Sequence, residues 1–426
     1  MPASPSQLKI TAPPAPMIDL QALSILSDNL EGLMGRIREV VFKPDRTKVA
    51  PSFSLPQLAA LCGVSDDTML RRLEKASERG LPPGTLPPAS TERSRPRRVF
   101  SVGDAQEWVR AEGVPFVRPA GVRGCTIAVG NFKGGVGKTT LTMCLAQGLS
   151  LRGYKVLVID LDPQGSLTTL FGLYPSQVDT RNTFLPLTLP PAEEGQEIDE
   201  DTVEPSDTLH CLKTYWPNLD LIAGCPALFS GEFYLPLQQL NRKAGSDFNF
   251  MEIMNRALDR GPRDEYDYII IDTPPSLSYV TMNAYWAADA IVMPVPPEGL
   301  DIASSSQFWQ LFQDLAAEAE SAGGLGKAFH WLNVVPSMVD MTKVHTKDAL
   351  KWLQAAYGEY LSQARIPETG ATNVAAMRLQ TVYDIAKYTG SHKTYVRARE
   401  AYDRVVDECD HFTRTRVWGE SLPEEV

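Results

Sequence analysis

The chain has 426 residues, 43% of them apolar, and a formal net charge of −11. These values exclude a mainly disordered chain and a protein coated in positive potential for nucleic acid, and they allow two domains. The charge is uneven: residues 1–124 hold 17 Lys+Arg against 13 Asp+Glu, a local net charge of +4, so a basic excess precedes an acidic remainder. No apolar stretch approaches the roughly 18–20 residues that span a bilayer, and Met1-Pro-Ala-Ser-Pro-Ser lacks an export signal's basic and apolar regions. Cysteines 62, 125, 144, 211, 225 and 409 form no Cys-x-x-Cys pair and read as reduced thiols of a cytoplasmic protein.

In chain order, Leu23, Leu26, Leu30, Leu33, Ile37 and Val40 recur at spacings of 3, 4, 3, 4 and 3. So narrow a seam predicts a helix within residues 1–48 that pairs with its twin in a homodimer or packs on its own domain. Ser54-Leu-Pro-Gln57 then has capping-box spacing, Gly63-Val64-Ser65 makes a turn, and Asp66 to Glu74 follows as a second helix. This is a helix-turn-helix pattern, with Arg71 and Arg72 as DNA contacts and Asp66 and Asp67 opposing them; a helical hairpin that never touches DNA has the same pattern. Arg93 to Phe100 reads as a basic wing bearing Arg95, Arg97 and Arg98, or as an ordinary solvated loop. A helix near Asp104 and a glycine- and proline-marked linker from Gly113 to Gly124 complete a winged-helix domain over 49–118, leaving 119–426 as a second domain.

The second domain opens on an apolar strand, Thr126 to Phe132, followed by Lys133-Gly-Gly-Val-Gly-Lys-Thr-Thr140. A P-loop reads Gly, four residues, then Gly-Lys-[Ser/Thr]; here Phe132 stands at the first Gly, and an extra lysine opens the octet. Gly134, Gly135 and Gly137, with Val136 between them, let the backbone aim N–H groups at phosphate, and the helix continuing through Thr140 adds its positive N-terminus. Lys138 is placed for the β and γ phosphates of ATP, and the Thr139 hydroxyl for Mg²⁺.

The next strand runs Val156-Leu-Val-Ile-Asp-Leu-Asp-Pro-Gln-Gly-Ser166 and ends in two carboxylates, which alone could be a solvated turn. Together with the octet, this segment resembles the ParA/MinD group of deviant Walker ATPases, and the resemblance covers roughly residues 124–412. It implies that Asp162 positions or activates the attacking water and that Asp160 lies nearer the magnesium shell. Tyr268-Ile-Ile-Ile-Asp-Thr-Pro-Pro275 puts Asp272 at the Walker B position, holding Mg²⁺ through a water. Ala290–Val295 and Trp331–Pro336 are further apolar runs whose continuity suits parallel strands covered on both faces. The expected fold is α/β, a mostly parallel doubly wound P-loop sheet with an N-terminal winged-helix domain. The resemblance nominates Asn333 for adenine, although a structural Asn at a strand end fits equally. The acidic run from Glu193 to Asp207 reads as a solvated loop or an interaction surface.

Within the group, the acidic tail Val417–Val426 lacks the basic amphipathic helix of the MinD-like branch, and no cysteine just beyond Asp272 serves a bridging cluster. The resemblance therefore implies a plasmid-type partition ATPase, cytoplasmic and nucleoid-associated. In that family an ATP-driven dimer, in which Lys133 crosses to the partner's nucleotide, binds DNA without sequence preference. A ParB-like centromere-binding protein stimulates hydrolysis, and the N-terminal domain represses its own operon. Lys133 thereby joins Lys138 and Asp162 as a catalytic candidate, unless it binds its own phosphate. Arg378, Lys393 and Arg397 are candidates for non-specific DNA, or part of a solvated face. An ATP-switched repressor and an ATPase that positions a protein cargo are the alternative readings.

Overall fold

The computed structural model describes residues 20–41, 48–86, 97–112, 117–190, 204–240, 249–321, 326–369, 379–385 and 391–421. The chain divides into two compact units, Met1–Lys48 and Val49–Val426. In the first, helix α1 spans Leu20–Val41, and Leu26, Leu30 and Leu33 of the predicted seam are exposed on the single chain. The side chains of Leu23, Ile37 and Val40 lie outside the described set. No helix among the described residues is long and apolar enough to cross a membrane.

The second unit begins with β1 (Phe53–Ser54), α2 (Leu55–Leu61), α3 (Asp66–Glu74), β2 (Val99–Phe100) and α4 (Val102–Glu112). Gln57 Oε1 accepts from the Ser54 N–H at 2.8 Å, starting α2 at the capping box, and the Thr68 N–H donates to Ser65 Oγ at 3.3 Å, starting α3. Gly63 makes the turn between them at φ +63°, where a side chain would be strained. β1 pairs antiparallel with β2, and Leu58, Met69, Phe100 and Trp108 are buried between these pieces.

The remainder is a seven-stranded sheet flanked by helices. Its strands are β3 (Cys125–Val129), β4 (Val156–Asp160), β5 (Leu212–Lys213), β6 (Leu219–Ile222), β7 (Tyr268–Asp272), β8 (Ala290–Val295) and β9 (Trp331–Pro336). Their order is β5-β6-β4-β7-β3-β8-β9, parallel except for β5 against β6. The connecting helices are α5 (Lys138–Leu151), α6 (Ser166–Leu170), α7 (Leu185–Thr188), α8 (Gly231–Leu240), α9 (Ile253–Asp259), α10 (Pro262–Glu265), α11 (Tyr279–Ala287), α12 (Gly299–Ser321), α13 (Thr346–Tyr357) and α14 (His392–Phe412). Alternation explains the unbroken apolar strands: Ile127, Val129, Val158 and Ile270 join the core beneath α5 and α14, while Leu157, Ile159, Ile269 and Ile271 join that beneath α9 and α11.

The expected domain boundary at 118/119 falls inside the second compact unit. Two observations explain why. Gln106 Nε2 donates to the Pro217 carbonyl at 2.9 Å and Arg110 Nε to that of Gly153 at 2.8 Å, fastening α4 to the sheet domain. Within the predicted linker, Arg118 donates to the carbonyls of Arg263 and Asp264 at 2.7 and 2.6 Å.

Candidate active site

β3 delivers the chain into the 130–137 loop, and α5 starts at Lys138, so the loop's N–H groups and the helix N-terminus converge at the sheet's C-terminal edge. Gly135 and Gly137 adopt φ +77° and +92°, and no heavy atom lies within 4 Å of where a Cβ would stand on Gly134, Gly135 or Gly137. The result is an open cradle walled by backbone, which fits a phosphate chain. Beside it, Lys138 is buried and its ammonium donates to the Lys133 carbonyl at 2.9 Å. Burial pulls the Lys138 pKa down, against the charges of Asp272 and Asp162.

Thr139 Oγ1 donates to Asp272 Oδ2 at 2.8 Å, and Thr142 Oγ1 to Oδ1 of the same carboxyl at 3.1 Å. Asp272 and Asp160 are register partners on β7 and β4. Burial first, and for Asp272 the charge of Asp160 next, raise both carboxyls well above the ordinary carboxylate range. They therefore hold protons more tightly folded than unfolded, and their contribution to stability is full below the unfolded pKa near 3.8 and is lost as pH climbs toward neutrality. The nucleotide-free chain is accordingly expected to melt at progressively lower temperature across that rise, and Asp272→Asn to flatten much of the slope. An equal slope in the variant would locate the titration elsewhere.

Asp160 braces its own loop. Its Oδ2 accepts from the Thr168 N–H at 2.9 Å and hydroxyl at 2.7 Å, and its Oδ1 from the Asp162 N–H at 3.2 Å. Both of its oxygens thus accept from protein donors. Asp162, half-buried at the turn, accepts from the Gln164 N–H at 3.0 Å, and among the described residues no donor bonds its second oxygen. Gly224, just past β6, packs where its Cβ would lie 2.6 Å from Asp160 Cγ. Gly224→Ala should cost about 1–3 kcal/mol by overpacking and lower ATP turnover by displacing Asp160 from Thr168. Wild-type melting and turnover would show the contact to be slack.

The Lys133 ammonium lies 2.6 Å from Oδ1 of Asp301, in the first turn of α12. The Lys133 N–H donates to Asn131 Oδ1 at 3.0 Å, and Asn131 Nδ2 to the Pro294 carbonyl on β8 at 2.8 Å. Ser337, after β9, donates to the Val136 carbonyl at 2.9 Å and braces the loop from the other side. Sequence reasoning missed Asn131, Asp301 and Ser337, because each acts across a long sequence gap. Asn333 is not brought to the P-loop. It lies mid-strand in β9, buried, with Nδ2 donating to Glu408 Oε2 on α14 at 3.1 Å.

A family model described as an AAA domain matches residues 124–322. "Putative replication protein A" of Rhizobium rhizogenes is 31% identical over 388 residues, covering 89% of this chain and 90% of the relative. Protein SopA of Escherichia coli K12 is 28% identical over 356 residues, 80% of this chain and 83% of SopA. Chromosome partitioning protein ParA of Caulobacter vibrioides is 29% identical over 283 residues, 66% of this chain and 95% of the relative. The chain belongs to the ParA-type partition ATPases. A solved "Partition Protein" shares the fold with a TM-score of 0.62 at 17% identity, covering 93% of this chain and 99% of its own.

In this partition ATPase the DNA candidates are scattered and partly committed elsewhere. Arg72 is half-buried and, with Arg79, pairs to the buried carboxylate of Glu112 on α4. Arg71 stays exposed, with Nε on the Asp67 carbonyl at 3.3 Å. Arg97 and Arg98 are exposed before β2, Arg98 bonding the Pro83 carbonyl. Lys393 and Arg397 are exposed one turn apart on α14. Arg95 and Arg378 lie outside the described residues.

Proposed function

We propose that this partition ATPase hydrolyses ATP with Mg²⁺ as a homodimer, holds DNA without sequence preference in its ATP state, and releases it when a ParB-like centromere-binding protein stimulates hydrolysis. The cycle runs in the cytoplasm on nucleoid DNA, and residues 49–118 read the operator of the protein's own operon. The observation that carries the nucleotide reading is the open glycine cradle beside Lys138 and the Thr139–Asp272 hydrogen bond. Cyanothece McdA, a neighbour with a TM-score of 0.50 over 72% of this chain, was solved as an ATP complex, which supports ATP as the nucleotide.

When bound, ATP supplies the phosphoanhydride bond whose hydrolysis drives the cycle, and magnesium would neutralise the charge that develops on its phosphate oxygens. The backbone N–H groups of Gly134–Thr140 cradle phosphates, and Lys138 exchanges the Lys133 carbonyl for phosphate oxygens. Thr139 and, through a water, Asp272 would hold Mg²⁺, since this cation keeps several waters. Asp162 orients the attacking water with its free oxygen. Lys133 adds positive charge to the partner subunit's site, as an arginine finger does.

Binding to random-sequence duplex with ATP, ADP or no nucleotide, repeated across a salt series, tests the cycle. Tight, salt-sensitive binding with ATP alone is expected. If ATP made no difference, the DNA-carrying cycle would fall, leaving an operator switch or a protein cargo.

A further inference from the structure

We infer that Asp301 latches Lys133 within its own subunit, so that the ion pair sets how much nucleotide the chain requires before it dimerises. The inference rests on the reading that Lys133 acts in the partner's site. Asp301 is 2% exposed, and among the described residues its buried Oδ1 has no polar partner other than the Lys133 ammonium. That oxygen is compensated by the Lys133 charge 2.6 Å away and by the N-terminal end of α12, where a carboxylate is favoured. Lys133 differs: its side chain is 40% exposed and can swing without disturbing the core.

The two ends of the pair share one reference point. Asn131 ties the Lys133 backbone to the Pro294 carbonyl near the end of β8, and the connection into α12 leaves the same strand end, where the Asp301 N–H donates to the Glu298 carbonyl at 3.0 Å. The lysine tip and the carboxylate are therefore set against each other by the fold. When Lys133 leaves, Asp301 stays behind as a buried charge without its partner, and that penalty opposes dimerisation. It is overcome where Lys133 meets a greater density of negative charge. A triphosphate offers more than a diphosphate, so the latch also sharpens discrimination between ATP and ADP.

The test is sedimentation equilibrium of the full chain, titrated with a non-hydrolysable ATP analogue or with ADP. Asp301→Asn keeps the shape of the side chain and removes its charge. It should dimerise at about tenfold lower analogue concentration, because one state no longer carries the buried ion pair, and should also dimerise with ADP. Asp301→Ala serves as a second variant with the same expectation. An unchanged or raised midpoint in both would overturn the latch. Lys133→Ala should stay monomeric; if it dimerised normally, the underlying reading of Lys133 would fall instead. Melting of the nucleotide-free single and double variants checks the pair directly: Lys133→Ala should lower the melting temperature, and Asp301→Asn in that background should restore it. Strictly additive effects would mean that the two charges are not coupled and would also overturn the latch.

Discussion

Lys133→Ala is expected to bind ATP within about threefold of the wild type yet hydrolyse it at least about a hundredfold more slowly, the conservative end of what charge supplied across an active-site interface contributes. The argument is geometric. In the single chain the Lys133 ammonium pairs with Asp301, whereas the phosphate-binding groups of the proposed site are loop N–H groups and Lys138, so its removal is expected to leave nucleotide binding in its own subunit largely intact. What disappears is the charge delivered to a partner, and with it ATP-dependent dimerisation. Equilibrium binding of a fluorescent ATP analogue and steady-state phosphate release separate the two effects. Normal turnover by this variant would remove Lys133 from the catalytic set.

Lys138→Ala should behave differently. Its ammonium sits at the lip of the cradle and is placed to exchange one carbonyl for phosphate oxygens. Two charge-assisted hydrogen bonds of about 1.5–3 kcal/mol each correspond to at least about a hundredfold loss in nucleotide affinity. The nucleotide-free protein should respond as well. Lys138 is the cation whose charge holds the Asp272 pKa down against burial, so its loss raises that carboxyl further and extends the pH-dependent fall in melting temperature to higher pH. Affinity equal to the wild type would mean that the lysine does not contact phosphate.

These two variants separate the octet's lysines, five residues apart in sequence, into different jobs. The distinction rests on Asp301, which reads in the sequence as an unremarkable acidic residue at a helix start, where carboxylates are common. Its burial and its contact across 168 positions follow from β8 lying beside β3. Arg72 is a similar case. Its place on the second helix of a helix-turn-helix pattern nominates it for DNA, and its pairing with Glu112, brought by α4 from 40 residues away, is not visible in that pattern. Asn333 likewise looks available within an apolar run, whereas the returning α14 supplies Glu408 to it. β6 has no unbroken apolar run, because Asp220 interrupts its four residues; that carboxylate is tolerated since Tyr266 and Lys213 donate to it at 2.7 and 2.6 Å.

What the sequence determined by itself is local. Continuous apolar runs specify β3, β4, β7, β8 and β9; glycines and a following helix specify the phosphate cradle; Ser54, Gly63 and Ser65 specify the ends of α2 and α3. In each case a few neighbouring side chains restrict the same stretch of backbone, so pattern and structure coincide. The tertiary structure alone decided which carboxylates share a buried neighbourhood, that Lys133 pairs with Asp301, and that residues 49–118 pack onto the sheet domain as one unit. Those outcomes depend on contacts between segments tens to hundreds of residues apart, where burial changes the energy of a charge by more than any local preference does.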